Sequence, residues 1–494
     1  MGFLQKRKEK RKMKKQQNQL KSYLYEAMEY YIKQNGKYKW AVTGMQYYKG
    51  ENDILKRKIY KSINGVKQEE PDVPNNKLAH PFIKKLVDQK VDYAFAKEPK
   101  YTCKDEKYLE WFTEWAEENA FNHWIKFAET LASNQGVVWV HPYINEAGEF
   151  KFVIIPATEI IPIWEDSLET HLKAVIRFYQ VNQNNGFNGE GDTYLEYWTN
   201  EGMQRYMIQG NILALQNPNY TWLKQVEGDF SGFVPHYANG NTPKCWGKVP
   251  FIPLKNNVDL LPDLAYVKTL IDNYDFTRSD LANTLEELRN FIICLENAGG
   301  TSIKDILTNL KTYGVLRVPS ANGQSSKASI LSSPIDCNAS ETHSKILKND
   351  IVQLLQSVDT MQLTQLPPSG ASLQMLFTDL ETKCRGVADQ FKQTFRELQY
   401  FMKIYLTENN KLNPSSNIKA ELVFNTVTNA NEQADTMNKQ ADAARKMKGV
   451  FSDETIYKNT PFVDDIEKEK ELMKAQNDDY FGTGNLKNKI GKGV

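Results

Sequence analysis

No cysteine pair, histidine cluster or phosphate-cradling glycine loop occurs in this 494-residue sequence, and each absence removes a class of function. The five cysteines (Cys103, Cys245, Cys294, Cys337 and Cys384) are odd in number, scattered, and without a Cys-x-x-Cys spacing. Neither a disulfide framework nor a zinc site is expected, and a reducing compartment fits. The six histidines are equally dispersed, so no metal or other cofactor is expected. Gly-x-x-x-x-Gly-Lys-Ser/Thr, Gly-x-Ser-x-Gly and His-Glu-x-x-His are all missing. Gly482-Thr-Gly484 lacks a third glycine, and Gly189-Glu-Gly191 reads as turn chemistry. The acidic pairs Asp464-Asp465 and Asp478-Asp479 read as solvated faces rather than a two-metal centre. An enzyme is therefore disfavoured. No excess of one charge exists either: 62 Lys and Arg face 61 Asp and Glu, a net charge of +1. Any electrostatic function must be local. No hydrophobic run approaches the length of a membrane span, and the charged N-terminal stretch has no apolar core after it. The expectation is a soluble protein that works in the cytoplasm where it is made.

What is present is concentrated between Asp263 and Tyr405. Leu264, Val267, Ile271, Tyr274, Leu281, Leu285 and Leu288 recur at spacings of three and four, which predicts a helix with one apolar stripe. Leu347, Ile351, Leu354 and Val358 predict a second. Between them, Phe291–Leu295 and Val315–Val318 read as short strands flanking a helix near Ser302–Thr312. Gln365-Leu-Pro-Pro-Ser-Gly370 then breaks the chain. Leu373, Phe377, Leu380, Cys384, Val387, Phe391, Leu398 and Tyr405 mark a third helix, on the order of 50 Å long. Two helices with a module threaded between them make a stalk with a tip. Such a stalk cannot bury its own stripe, and copies of itself are the simplest cover. An oligomer is expected.

The rest reads as helices, then strands, then helices. Residues 1–21 hold Lys6, Arg7, Lys8, Lys10, Arg11, Lys12, Lys14 and Lys15 against Glu9, either an arm for nucleic acid or an acidic partner, or a solvated helix start. A helix covering Tyr23–Ile32 ends in a turn at Tyr47–Gly50. A stronger helix opens at Pro74–Lys77, with Leu78, Phe82, Leu86 and Tyr93 on one side. Trp111 and Trp115 lie on a further helical stripe and read as core, not as a base-stacking platform. From Gly136 the period changes to two: Val137–Val140 and Phe152–Ile155 flank a hairpin turn at Asn145–Gly148. Ile160–Trp164, Lys173–Val181 and Thr193–Thr199 continue an antiparallel sheet, and Gly247–Pro253 leads into the stalk. Ile418–Phe424 alternates as a strand. Asn429, Ser452 and Asp464 can start helices, the first stopping at Gly449.

Several blocks together resemble the portal proteins of tailed bacteriophages, of the Gp6-like type from phages of Gram-positive bacteria. They are Tyr47–Ile54, Pro74–Tyr93, Gly136–Val140 with Ile155–Ile160, Val249–Pro253, and Leu270–Asp275 with Ser279–Asn283. The resemblance implies an α+β portal fold. Its parts would be a basic N-terminal arm (1–21), a wing of helices and antiparallel sheet (22–258), stem helices (259–289 and 338–358) and a small α/β clip (290–337). A tunnel loop (359–371), a long helix and strand returning to the wing (372–427), a helical crown (428–480) and a disordered tail (481–494) complete it. It implies a cyclic ring of roughly twelve copies that conducts double-stranded DNA during packaging and ejection. The clip would dock the terminase large subunit and later the head–tail adaptor, with Lys304, Lys311, Arg317 and Lys327 as contacts. Major capsid and scaffolding proteins are the other expected partners, with no membrane. The location implied is the portal vertex of the virion, and the host cytoplasm during assembly. Glu341, Lys345, Lys348 and Asp350 mix signs on the second stem helix. Lys345 or Lys348 is expected to face the channel, with salt bridges between subunits as the other reading. The uncharged loop would touch DNA through Gln362, Thr364 and Gln365. A head–tail adaptor or other ring-forming virion protein is the alternative, and an enzyme acting on nucleic acid a distant third.

Overall fold

The structure, a computed structural model, describes residues 2–63, 65–70, 73–181, 191–210, 212–216, 233–239, 242–287, 292–296, 302, 304, 308, 312, 327–331, 337–361, 370–424, 430–458, 460, 466, 467 and 469–474. It forms two compact units, Met1–Asp359 with Asp379–Asn425, and Thr360–Thr378 with Thr426–Val494. Helices combine with antiparallel sheets, an α+β chain as expected. No helix among the described residues is long and apolar enough to cross a membrane.

The first unit opens with α1 (Gly2–Gln34), which runs unbroken through the basic stretch. It stops where Asn35 turns extended and accepts the Tyr38 N–H at 3.1 Å, capping α2 (Gly36–Tyr48). The single helix expected from Tyr23 to the turn at Tyr47 is therefore two. A hairpin of β1 (Tyr60–Ile63) and β2 (Val66–Glu69) follows. The next helix, α3 (Phe82–Ala94), begins eight residues later than Pro74 because residues 74–81 are extended. After β3 (Lys100–Thr102) come α4 (Glu106–Glu118), capped by Asp105, and α5 (Phe121–Gln135). Gly136, at φ +87°, turns α5 into β4 (Val137–Ile144); a Cβ there would lie 2.1 Å from the Leu260 carbonyl oxygen.

The hairpin of β4 with β5 (Phe150–Pro156) forms as the alternation predicts. Then β6 (Ile160–Trp164), β7 (Leu172–Val181), β8 (Asp192–Thr199), β9 (Gly202–Gln209) and β10 (Ile212–Leu215) build one antiparallel sheet in the order β10-β9-β8-β7-β6. A small hairpin, β11 (Tyr237–Asn239) with β12 (Thr242–Lys244), precedes β13 (Ile252–Lys255), which joins β4 and β5 in a three-stranded sheet.

The stalk follows as α6 (Lys268–Glu287), the antiparallel pair β14 (Ile292–Glu296) and β15 (Lys327–Leu331), and α7 (Cys337–Leu354). The partner of β14 is therefore 327–331; the strand expected at Val315–Val318 lies outside the described residues. Of the expected intervening helix, Lys304, Thr308 and Thr312 are helical. The long helix, α8 (Gly370–Glu408), forms as predicted, and β16 (Lys419–Glu421) pairs with β3.

Several hydrophobic clusters hold the first unit, and two of them carry its helices onto its sheets. Tyr108, Phe112, Trp115, Phe121, Phe150, Phe391, Phe395 and Phe401 join α4, α5, β5 and α8 around an aromatic centre, and Trp111 packs half-buried against it. Both tryptophans are core, as their stripe predicts. Leu24, Met28 and Tyr31 of α1 cover Ile176, Phe178, Leu195 and Tyr206 of the five-stranded sheet. In the second unit, α9 (Ala430–Met447) stops before Gly449 (φ +92°). The Ser452 hydroxyl accepts the Thr455 N–H to start α10 (Asp453–Lys458). Asn429, Asp464, residues 182–190 and residues 481–494 lie outside the described residues.

Candidate functional site

The stalk enters through a single helical turn, Asp263–Tyr266, whose Leu264, with Val267 just after it, is buried ahead of α6. Ile271 continues that apolar face against Ile351 and Leu355. Beyond Ile271 the buried face turns polar: Asp275 and Ser279 are 0% exposed and Asn283 7%. The expected stripe of Tyr274, Leu281 and Leu285 is not the buried one, and Leu285 is 49% exposed. The cause is the extended strap 74–81. Its alternate amides at Asn76, Leu78 and His80 donate to Asn283 Oδ1 (2.6 Å), Ser279 Oγ (2.9 Å) and Asp275 Oδ1 (3.0 Å). Two residues of extended chain advance about 6.7 Å and four residues of helix about 6 Å, so three successive teeth engage. A helical strap would have bonded these amides to itself. Asp275 is the strongest tooth: His80 Nδ1 lies at 2.7 Å and Asn52 Nδ2 at 2.6 Å.

Below the strap, a buried polar node grips the stalk's entry. Lys90 of α3 reaches Asp263 at 2.9 Å, Asn256 Oδ1 at 2.8 Å and Glu129 of α5 at 3.7 Å. Lys383 of α8 reaches the same Asp263 carboxylate at 3.2 Å. Burial disfavours the charged form of Asp263, but the two ammonium groups more than offset it and hold the carboxyl well below its ordinary range. Glu129 is pushed up to about 7 by burial, only partly relieved by Lys90, and its Oε2 finds no partner. Burial lowers Lys383, while Lys90 stays raised because Asp263 and Glu129 outweigh its burial. A cavity of ≈ 440 Å³ opens beside the node, between the Asn256–Val258 loop, the end of α7 and α8.

The stalk's exit is held by the same elements. Gln89 of α3 clamps Val358 twice, donating to its carbonyl and accepting its N–H, each at 3.0 Å. Lys383 also donates to the Leu355 carbonyl at 3.0 Å. On α7, Leu347, Ile351 and Leu355 are buried with Val358, whereas Leu354, expected in the stripe, is 58% exposed. The spacing of four continued past Ile351 and moved the seam by one residue.

Of the residues singled out from the sequence, Lys345 is exposed on α7. Lys348 forms an ion pair with Asp359 of the same chain at 2.8 Å. Lys304 is exposed and helical, and Lys327 begins β15. Lys311, Arg317, Gln362, Thr364 and Gln365 lie outside the described residues. Sequence reasoning missed Gln89, Lys90, Glu129, Asp263 and Lys383, which have no shared spacing in the chain. It also missed the strap's acceptors, whose signal was present: Asp275, Ser279 and Asn283 recur every four residues. Among the described residues, no group of three or more His, Cys, Asp or Glu is arranged to hold a metal ion.

The strap and the helix it latches coincide with two of the blocks that resembled portal proteins. A family model, phage portal protein, SPP1 Gp6-like, matches residues 29–481. This chain belongs to the phage portal protein family. It is 27% identical over 443 residues to the portal protein of Bacillus phage SPP1, covering 89% of this chain and 84% of that one. It is 28% identical over 450 residues to the portal protein of Clostridium phage phiCD119, covering 86% and 90%. Membership of this family makes the chain a bacteriophage virion component with a role in genome packaging, a structural rather than an enzymatic one.

Proposed function

We propose that this chain is the subunit of a closed ring of roughly twelve copies at one capsid vertex, conducting double-stranded DNA along its axis during packaging and ejection. Residues 22–258 would form the wing, 259–289 and 338–358 the stem, 290–337 the clip, 359–371 the tunnel loop, 372–427 the return to the wing and 428–480 the crown. The carrying observation is a helix pair gripped at its base by α3, α5 and α8, bearing an antiparallel strand pair at its far end, in a chain of the portal family. Exposed Phe276, Leu285, Ile346 and Leu354 on that pair supply the apolar surface that neighbouring copies would cover.

A conduit must hold DNA without gripping it, because every neutralised phosphate adds salt-dependent affinity. The ion pair of Lys348 with Asp359 leaves Lys345 as the stem ammonium for transient phosphate contact. Gln362, Thr364 and Gln365 would offer sliding polar contacts from the uncharged loop. The clip cations Lys304, Lys311, Arg317 and Lys327 would meet the terminase large subunit and then the head–tail adaptor. The wing and crown would meet the capsid and scaffolding proteins. Negative-stain electron microscopy with native mass measurement tests the reading. Rings of about a dozen copies with an axial hole support it, and a small closed dimer without a channel refutes it.

A further inference from the structure

We propose that the first half of α1 is a second DNA site, separate from stem and tunnel loop, which binds the phosphate backbone of duplex DNA without reading its sequence. It rests on the portal reading for the presence of duplex DNA, but not for the chemistry of the site. The helix is 33 residues long, and among the described side chains its apolar packing on the five-stranded sheet begins at Leu20. Eighteen residues, about 27 Å of helix, precede Leu20. Arg11, Lys12, Lys14 and Lys15 are exposed and stand in no ion pair among the described residues.

The composition of this segment selects the partner. At about 100° per residue, the exposed Arg11, Lys12, Lys14 and Lys15 spread over about 160° of the helix circumference. From Gln5 to Gln19 the only apolar residue is Met13. A protein partner needs an aromatic or apolar anchor at its centre, and between Gln5 and Gln19 Met13 is the single candidate. Single strands are held by stacking on aromatic rings, and none lies between Gln5 and Gln19. A polyanion recognised by charge alone remains, and duplex DNA is the one a portal handles. Residues 1–21 carry nine cations and one acid while the whole chain nets +1, so the remaining residues net −7. The rest of the subunit repels DNA on balance, and this helix is where it would settle.

The helix is also poised for such a ligand. Five like-charge pairs four residues apart, from Lys6–Lys10 to Arg11–Lys15, strain it while no anion is present. Phosphates would relieve each pair, so DNA binding should slow amide exchange across residues 2–19. This arm is static where the channel must be slippery: it would tether or sense DNA outside the moving path.

The test is fluorescence anisotropy of the full-length protein with a labelled 30-bp duplex of mixed sequence, from 50 to 300 mM NaCl. In the variant Arg11→Gln, Lys12→Gln, Lys14→Gln, Lys15→Gln, the slope of log K against log salt should become shallower by about 3.6, roughly 0.9 per lost phosphate contact. A charge-keeping variant, Arg11→Lys with Lys12→Arg, Lys14→Arg and Lys15→Arg, should retain the wild-type slope. An unchanged slope in the glutamine variant overturns the proposal. So does a shallower slope in the charge-keeping variant, which would mark a contact made by those particular side chains rather than by their charge. Native mass on the same samples separates the two readings: intact rings with an unchanged slope sink the arm alone. A failure to form rings with a salt-dependent arm sinks the conduit alone.

Discussion

Replacing Asp275 by alanine should unlatch the strap 74–81 from α6. The carboxylate is fully buried and accepts the His80 amide at 3.0 Å, His80 Nδ1 at 2.7 Å and Asn52 Nδ2 at 2.6 Å. Each hydrogen bond to a charged group contributes about 1.5–3 kcal/mol, and burying the carboxylate itself costs several. The net loss expected is about 3–5 kcal/mol, as for other buried charges stripped of a partner. Ser279→Ala removes one neutral acceptor and leaves the Leu78 N–H (2.9 Å) unpaired, a loss of about 1–2 kcal/mol. Because about 1.4 kcal/mol is tenfold in an equilibrium constant, local opening should rise by about two to three and a half orders of magnitude for Asp275→Ala and about tenfold for Ser279→Ala. Hydrogen–deuterium exchange with mass spectrometry reads this directly. A peptide covering 74–81 should exchange faster in that order, while one covering β7 stays at its wild-type rate. Unchanged protection of 74–81 in Asp275→Ala would refute the latch. Equal loosening of both peptides would refute it too, by showing the effect to be global.

Lys348→Gln should lower thermal stability by about 1–2 kcal/mol, because it removes a cation 2.8 Å from the buried Asp359 carboxylate, whereas Lys345→Gln should stay within about 0.5 kcal/mol. Equal melting temperatures for the two variants would contradict the ion pair. Glu129 holds its proton up to about pH 7 in the folded chain but only to its ordinary 4.5 when unfolded. The stability it contributes is therefore present below pH 4.5 and lost as pH rises through 7. Glu129→Gln should match the wild type near pH 4.5 and exceed it by about 3 kcal/mol near pH 8, read from melting curves across that range; an advantage independent of pH would exclude the cause. Replacing Gln362, Thr364 and Gln365 by Asp should impair DNA filling of capsids while rings still assemble, and normal filling would remove those residues from the DNA path.

The sequence was most legible where one rule acted alone. The strands around Asn145–Gly148 and the third helix stripe from Leu380 to Tyr405 appear where their periods placed them. It was least legible where a side chain replaced a backbone partner. Residues 74–77 looked like a helix start because Pro and Asn favour one locally. The amides of Asn76 and Leu78 instead donate to Asn283 and Ser279, some 200 residues away, which no local period can announce. The apolar stripe of α6 misled for the same reason, since the face that mattered was Asp275, Ser279 and Asn283. The polar node was invisible because Lys90, Glu129, Asp263 and Lys383 come from four separate segments.

The polar latch also explains why the stalk is not held by a longer hydrophobic seam. An apolar stripe between strap and helix would stabilise comparably per area, but it would tolerate sliding by a turn or rotation about the helix axis. Three hydrogen-bonded teeth are satisfied in one register only. A slip of one residue in the extended strap would turn the opposite amides toward Asp275, Ser279 and Asn283. The Gln89 clamp on Val358 fixes the exit of the stalk in the same way, and Asp263 between Lys90 and Lys383 fixes its entry. The helix pair is thus set in angle and height at its base, and a load applied at the β14–β15 pair would pass into α3, α5 and α8 rather than be absorbed by rotation of the stalk. Were the subunit to line a channel as proposed, geometric definition at the base would matter more than added stability.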